Sequence, residues 1–289
     1  MAILIDRATR ALIQGITGEV GSFQAKIMQE YGTQIVAGVT PGKGGKEIYG
    51  IPVFDFVDDA VAQCGANAAL SFAPAPSAAE AAMEAIDAGI PLVVVMAEGV
   101  PDRDMLAVIH SARLRGVRII GPDTPGVISP GKCKLGVHPG RMFVEGWVGV
   151  VSKSGALSYE VCKNLTQRRL GQSTVVGIGG GPLWGMRQVE VLRLFQDDPA
   201  TRVVVLLGEV GGTMEQEAAR YIRSEMDKPV VAMIVGRSAP RGSQMGHAGA
   251  IVEGDEGLAL SKIDALKDAG ARIAHSPAEL VDLVEFAGG

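Results

Sequence analysis

Residues 11–21 read ALIQGITGEVG: an apolar run that ends on Gly15 and continues through Gly18 and Gly21 in the spacing G-x-x-G-x-x-G. Ala11 to Ile16 is strand-like, and Ser22 to Tyr31 carries helical spacing. The stretch therefore predicts strand, glycine turn and helix, the first half of a βαβ unit. Similar apolar runs recur at 34–39, 68–73, 92–97 and 117–121, and again at 148–152, 174–179, 202–208, 229–235 and 271–275. Helical patterns fill Ser77 to Ala88, Asp102 to Arg115 and Gly155 to Arg169. Strands alternating with helices predict an α/β protein with parallel sheets. Residues 1–125 and 148–289 form two domains of similar size. The Pro-Gly and Gly-Lys turns of 126–147 mark a junction between them.

Composition agrees with this reading. Of 289 residues, 47% are hydrophobic and 39 are glycine, but only 4% are aromatic, as expected for short buried strands joined by glycine turns. A net charge of −5 argues against coating nucleic acid or an anionic membrane. Cys64, Cys133 and Cys162 lie far apart without metal-ligand spacing, which points to a reduced, cytoplasmic setting and no metal site. No leader pattern precedes the first strand, and no apolar run approaches the ~18–20 residues of a membrane span. The expectation is a soluble protein.

Glycines in the first turn let the backbone approach a phosphate at a helix N-terminus, although a steric role alone also explains them. An NAD site wants an acid at the end of the second strand. Here that strand runs into Gly38-Val39-Thr40-Pro41-Gly42-Lys43-Gly44-Gly45, with no acid and a lysine instead. Lys43 suits a ribose phosphate, which coenzyme A carries and NAD lacks. The same segment departs from a P-loop, because Gly44 stands where Ser or Thr holds magnesium. A flexible turn with a solvated lysine is the plain alternative.

In the second half, Ser154 and Gly155 open a helix after a strand, which fits either an anion site or an ordinary serine cap. Gly177 to Pro182, then Gly208-Glu209-Val210-Gly211, then Met245-Gly246-His247-Ala248-Gly249-Ala250 are further glycine loops at strand ends. In a doubly wound fold such loops face one crevice, so Ser154, Gly180, Glu209 and His247 are expected to converge. Metal binding by His247 lacks a second ligand. A phosphoryl-accepting nucleophile fits better, with Glu209 fixing the tautomer from the far ring nitrogen. A lone histidine in a glycine loop also describes a surface residue, so spacing alone leaves these alternatives open.

These residues resemble the α subunits of the succinyl-CoA synthetase family over nearly the whole chain. The resemblance rests on Gln14-Gly15 with Thr17-Gly18, Gly38 to Gly45, Glu98-Gly99, Gly121-Pro122, Ser152 to Gly155, Tyr159, Gly177 to Gly180, Gly208-Glu209 and Met245 to Ala250. It implies a Rossmann-like CoA-binding domain followed by a flavodoxin-like ligase domain. His247 would be the phosphorylated residue, oriented by Glu209 and cradled by Ser154 and Gly155. Thr17, Gly18, Glu19, Val20, Lys43, Met96, Ala97 and Glu98 would hold coenzyme A, with Tyr159 near the acid substrate. A β subunit with an ATP-grasp fold would bind ATP or GTP with Mg²⁺, in an αβ or (αβ)₂ assembly.

The chain departs from the family at particular positions. Asp123-Thr124 replaces the family's Asn-Cys, Gly181-Pro182-Leu183 replaces Asp-Pro-Ile, and Glu19-Val20 replaces a polar pair. Changing an amide to a carboxylate removes a donor and weighs on a dicarboxylate substrate. The acid is thus expected to be succinate or a relative such as malate. A CoA-binding regulatory or scaffold homologue without turnover is the rival reading.

Overall fold

The computed structural model describes residues 2–289, and every structural statement below concerns those residues. The first unit runs β1 (Arg10–Gln14), α1 (Glu19–Tyr31), β2 (Gln34–Val39), β3 (Glu47–Ile48), β4 (Ile51–Phe54), α2 (Val57–Cys64), β5 (Ala68–Ser71), α3 (Ala75–Asp87), β6 (Leu92–Val95), α4 (Asp102–Arg115) and β7 (Arg118–Ile120). Its sheet order is β3-β4-β2-β1-β5-β6-β7, parallel except for β3 against β4. Without β3, this is the doubly wound dinucleotide-fold order, which reverses between β1 and β5. The strands form because fully buried runs such as Leu92–Val95 bury both faces. Helix α4 shows the end signals plainly: Asp102 and Asp104 in the first turn, Arg113 and Arg115 in the last, and left-handed Gly116 after it.

The second unit follows as β8 (Gly126–Ser129), β9 (Cys133–Gly136), a 3₁₀ turn (Gly140–Met142), β10 (Glu145–Ser152), α5 (Gly155–Gln167), β11 (Gln172–Gly177), α6 (Gln188–Asp197), β12 (Val203–Glu209), α7 (Met214–Glu225), β13 (Val230–Val235), α8 (Ala259–Asp268), β14 (Arg272–Ile273) and α9 (Pro277–Gly288). The sheet order is β14-β13-β12-β10-β11-β8-β9. Its parallel strands follow the flavodoxin-like order, which reverses beside β10.

Both sheets are mostly parallel: β3 runs antiparallel to β4 in the first, and β8 antiparallel to β11 and to β9 in the second. Within 126–147, β8 and β9 form a hairpin that joins the second sheet beside β11. The hairpin closes tightly because Gly126 and Gly136 face each other, and a Cβ on Gly126 would stand 2.0 Å from the Leu135 carbonyl oxygen. It also ties the two units together, since the Thr33 hydroxyl accepts from the Lys134 N–H at 2.9 Å and donates to its carbonyl at 3.0 Å. One core cluster spans both sheets, joining Ile13 and Leu70 to Val151, Val176 and Leu206. No helix is long and apolar enough to cross a membrane.

Candidate functional site

The loops at the first reversal point line a crevice of about 680 Å³. Gly15, Thr17 and Gly18 reach it from β1, Thr40 and Pro41 from β2, Phe56 from beyond β4, and Phe72 to Pro74 from β5. Gly18 is the N-cap of α1 and offers no side chain, so no side chain caps the backbone N–H groups of the first turn. Gly21 has a different task. A Cβ there would sit 2.2 Å from the Gly15 carbonyl oxygen, so glycine permits α1 to press onto its own loop. Two aromatic rings beside helix-start amides suit a planar apolar group joined to a phosphate. Phe56 is 63% exposed and Phe72 partly buried. Neither was singled out from sequence, where isolated phenylalanines carry no spacing signal.

The second reversal point gathers the other glycine loops. Glu209 ends β12, nearly buried, and its Oε2 accepts from His247 Nδ1 at 2.7 Å. The loop of His247 is fastened to itself by Met245 N–H to the Ala250 carbonyl (3.0 Å), and to the 177–182 loop by Gly249 N–H to the Gly180 carbonyl (3.0 Å). Gly180 leaves room for the ring, because a Cβ there would lie 2.4 Å from His247 Cγ. The imidazole side chain is about one-third exposed, and its Nε2 makes no hydrogen bond to a described residue. A histidine bonded to a carboxylate through Nδ1, with Nε2 open, is arranged to present a nucleophilic lone pair at Nε2.

The first unit supplies further charge. Asp123 N–H donates to the Ala97 carbonyl at 2.9 Å, and the Asp123 carbonyl accepts from Gly180 N–H at 3.2 Å, which seats the segment after β7 against the 177–182 loop. Asp123 has φ +56°, a left-handed conformation that Asp tolerates. Burial pushes its carboxyl above the ordinary carboxylate range, and the charge of Glu98 pushes the same way. The hydrogen bond to Glu209 raises the His247 imidazolium above its usual value, against a smaller opposing effect of burial, and the charges of Glu209, Asp123 and Glu98 add to the rise.

Of the residues expected from sequence, His247 and Glu209 are in contact. Thr17 and Gly18 line the crevice, whereas Glu19 and Val20 sit outward in the first turn of α1 and Lys43 on an exposed turn beyond β2. Met96, Ala97 and Glu98 follow β6 without lining the crevice, and Glu98 acts on the charge of His247. The Ser154 hydroxyl caps α5 by accepting from Leu157 N–H at 3.3 Å, so the plain cap reading holds for its side chain, while the first-turn amides from Gly155 remain. Tyr159 packs edge-to-face on His138 and Phe143, with ring centroids 5.7 and 6.3 Å away, in an aromatic cluster on α5. Thr124 has a structural task, bonding the Gly177 carbonyl and accepting from Gly126 N–H. No group of histidine, cysteine and carboxylate side chains suited to a metal ion occurs among the described residues.

Residues 6–99 match the CoA binding domain family and residues 151–272 the CoA-ligase family. The chain is 51% identical to the succinate–CoA ligase [ADP-forming] subunit alpha of Aquifex aeolicus, over 98% of this chain and 94% of that one. It is 54% identical to subunit alpha 2 of the same enzyme in Archaeoglobus fulgidus, over 98% and 99%. Among solved structures it resembles Methanosaeta concilii ATP citrate lyase in complex with (3S)-citryl-CoA, with TM-score 0.85 and 29% identity. That match covers 98% of this chain but only 50% of the lyase, so the chain spans about half the length of that protein.

Proposed function

Because the chain belongs to the family of succinate–CoA ligase α subunits, an acid–thiol ligase family working with a β subunit, we propose that His247 is its phosphoryl acceptor and that the first crevice binds coenzyme A. The observation that carries the first assignment is the 2.7 Å bond from His247 Nδ1 to Glu209 with Nε2 left open. The reaction joins a carboxylic acid and CoA while a nucleoside triphosphate becomes diphosphate and phosphate.

Nε2 of neutral His247 attacks the terminal phosphorus, the bond to the diphosphate breaks, and Glu209 stabilises the imidazolium that forms. The phosphoryl group then passes from Nε2 to the acid, giving an acyl phosphate and regenerating neutral His247. The CoA sulfur attacks the acyl carbon and phosphate leaves. The amides at the start of α5, with Ser154 and Gly155, receive the phosphoryl oxygens at the same reversal point. Thr17 and Gly18 take the CoA phosphates, with Phe56 and Phe72 against the base. Glu19, Val20 and Lys43 flank its outer part. Met96, Ala97 and Glu98 lead the thiol arm toward His247, and Tyr159 stands on the acid side of α5. The nucleotide, ATP by analogy with the ADP-forming relatives, binds with Mg²⁺ on an ATP-grasp domain of the β subunit, in an αβ or (αβ)₂ assembly in the cytoplasm.

Succinate is the acid we assign, from the relatives' names. The test is a panel of succinate, malate, citrate and acetate with the reconstituted αβ complex, ATP and GTP supplied in turn. Succinate-dependent acyl-CoA formation with ATP is expected. Preference for malate would reassign the acid. Coenzyme A binding with no ligation of any acid would support the scaffold reading instead.

A further inference from the structure

Behind Glu209 lies a set of buried charges that the reaction above does not use. Glu215, in the first turn of α7, is fully buried and pairs with two lysines that are themselves buried, Lys153 from the end of β10 and Lys262 from α8. Lys153 Nζ lies 2.8 Å from Glu215 Oε1, and Lys262 Nζ bonds Oε2 and also donates to the Gly212 carbonyl at 2.9 Å. The same Glu215 Oε1 accepts the backbone N–H of Glu209 at 3.3 Å. Gly208 is glycine because a Cβ would stand 2.7 Å from Glu215 Oε1, so the carboxylate presses directly on the strand end that carries Glu209. Lys153 Nζ also lies 5.1 Å over the Trp184 ring, whose Nε1 donates to the Gly179 carbonyl at 2.9 Å and whose edge meets Gly249.

Three buried ions are costly, and pairing alone does not explain why they stand here rather than apolar side chains. Their placement does. Each member grips one of the loops that build the site: Lys153 adjoins Ser154 and Gly155, Glu215 and Lys262 hold the 208–212 turn, and Trp184 relays Lys153 to the His247 loop. Two ammonium groups against one carboxylate leave one positive charge facing the Glu209 carboxylate.

We propose that Lys153, Glu215 and Lys262 are positioning residues, a buried triad that holds Glu209 against His247 and sets the electrostatic field at the imidazole. The proposal rests on the reading of His247 as phosphoryl acceptor only for its kinetic consequence. The groups that face His247 are Glu209 from β12, Asp123 after β7 and Glu98 after β6, all acidic. The triad is the positive counterweight. Removing one lysine makes the field more negative and favours the imidazolium. Neutralising Glu215 makes it more positive and favours neutral imidazole. The two changes therefore move His247 in opposite directions, which damage to packing does not do.

The test uses the αβ complex with ¹³C-labelled histidine in this chain, whose four histidines allow assignment of His247 by its loss in His247→Ala. Titration of the ring is followed by NMR in Lys262→Met and Glu215→Gln. The expected result is a His247 titration midpoint raised by about half to one unit in Lys262→Met and lowered by a similar amount in Glu215→Gln. The acid limb of the phosphorylation rate should move with each. Lys153→Met removes the same charge from the other side of Glu215 and serves where Lys262→Met does not fold. Folded variants whose His247 midpoint stays at the wild-type value, or shifts the same way in both, overturn the triad. A wild-type chain that is never phosphorylated overturns the acceptor reading and leaves the titration result standing.

Discussion

Replacing Gly180 with alanine probes the geometry of the His247 loop with one methyl group. The Gly180 backbone has no left-handed φ, so alanine adds no backbone strain there. Its Cβ would lie 2.4 Å from His247 Cγ and 2.7 Å from Nδ1 and Cδ2. Carbon contacts settle at about 3.5–4.0 Å, so the ring must retreat by about 1 Å. The 2.7 Å bond from Nδ1 to Glu209 then opens past hydrogen-bonding range. A misplacement of ~1 Å in a reacting group costs roughly 10²-fold in rate. The His247 side chain is about one-third exposed and can move outward, so the stability loss should be about 1 kcal/mol, the value of one modest hydrogen bond. Single-turnover labelling of the αβ complex with γ-³²P-ATP measures the rate, calorimetry measures CoA binding, and thermal unfolding measures stability. The prediction is a phosphorylation rate down roughly 10²-fold with CoA affinity unchanged. A folded Gly180→Ala protein phosphorylated at the wild-type rate would refute the reasoning.

Three other perturbations address separate parts of the account. Glu209→Gln removes the group that raises the His247 imidazolium. Phosphorylation by neutral imidazole rises with pH through the His247 midpoint, so its acid limb should move to lower pH while the plateau falls by about 10²-fold, both read from a pH–rate profile. The Glu209–His247 attraction stabilises the fold fully below the unfolded histidine value of 6.5, and that stabilisation is lost as pH rises through the folded midpoint, a loss that Glu209→Gln should abolish in unfolding titrations. Gly21→Ala drives a Cβ into the Gly15 carbonyl at the CoA crevice. It should weaken CoA binding about tenfold or more and lower stability by roughly 1–3 kcal/mol, checked by calorimetry and denaturant unfolding. His138 is fully buried, with neither ring nitrogen bonded to the protein, and burial pushes it down to about 3. Because the unfolded chain takes up that proton near 6.5 and the folded one does not, stability should fall by up to about 1.4 kcal/mol per pH unit as pH drops from 6.5 toward 3. His138→Leu should flatten that slope, and unfolding midpoints between pH 4 and 7 decide it.

The alternation of strand and helix was legible because buried parallel strands are short apolar runs: Leu92–Val95 and Val203–Glu209 are buried at every position. Strand β4 escaped that reading, being four residues long with Pro52 exposed in its middle. The hairpin of β8 and β9 escaped it because glycines and prolines at its ends mimic a linker. Gly126 and Gly136 are there so that two backbones can meet where no Cβ fits. In the site, the glycine loops and His247 stood out because small residues around one reactive side chain leave a mark in sequence. The crevice rings Phe56 and Phe72 left none. Lys153, Glu215 and Lys262 carry no spacing signal in sequence, and only the packing of α8 against α7 and β13 makes them buried partners. Asp123 was legible as a departure, but its meeting with Glu98 and His247 depends on how the two sheets face each other.

The most direct test of the account is to incubate the reconstituted αβ complex with γ-³²P-ATP and Mg²⁺ and map the labelled residue. An acid-labile, alkali-stable label is expected on the peptide containing His247, absent from His247→Ala and discharged by succinate with coenzyme A. Label retained by His247→Ala, or a wild-type complex that ligates succinate without ever carrying label on this chain, would contradict it.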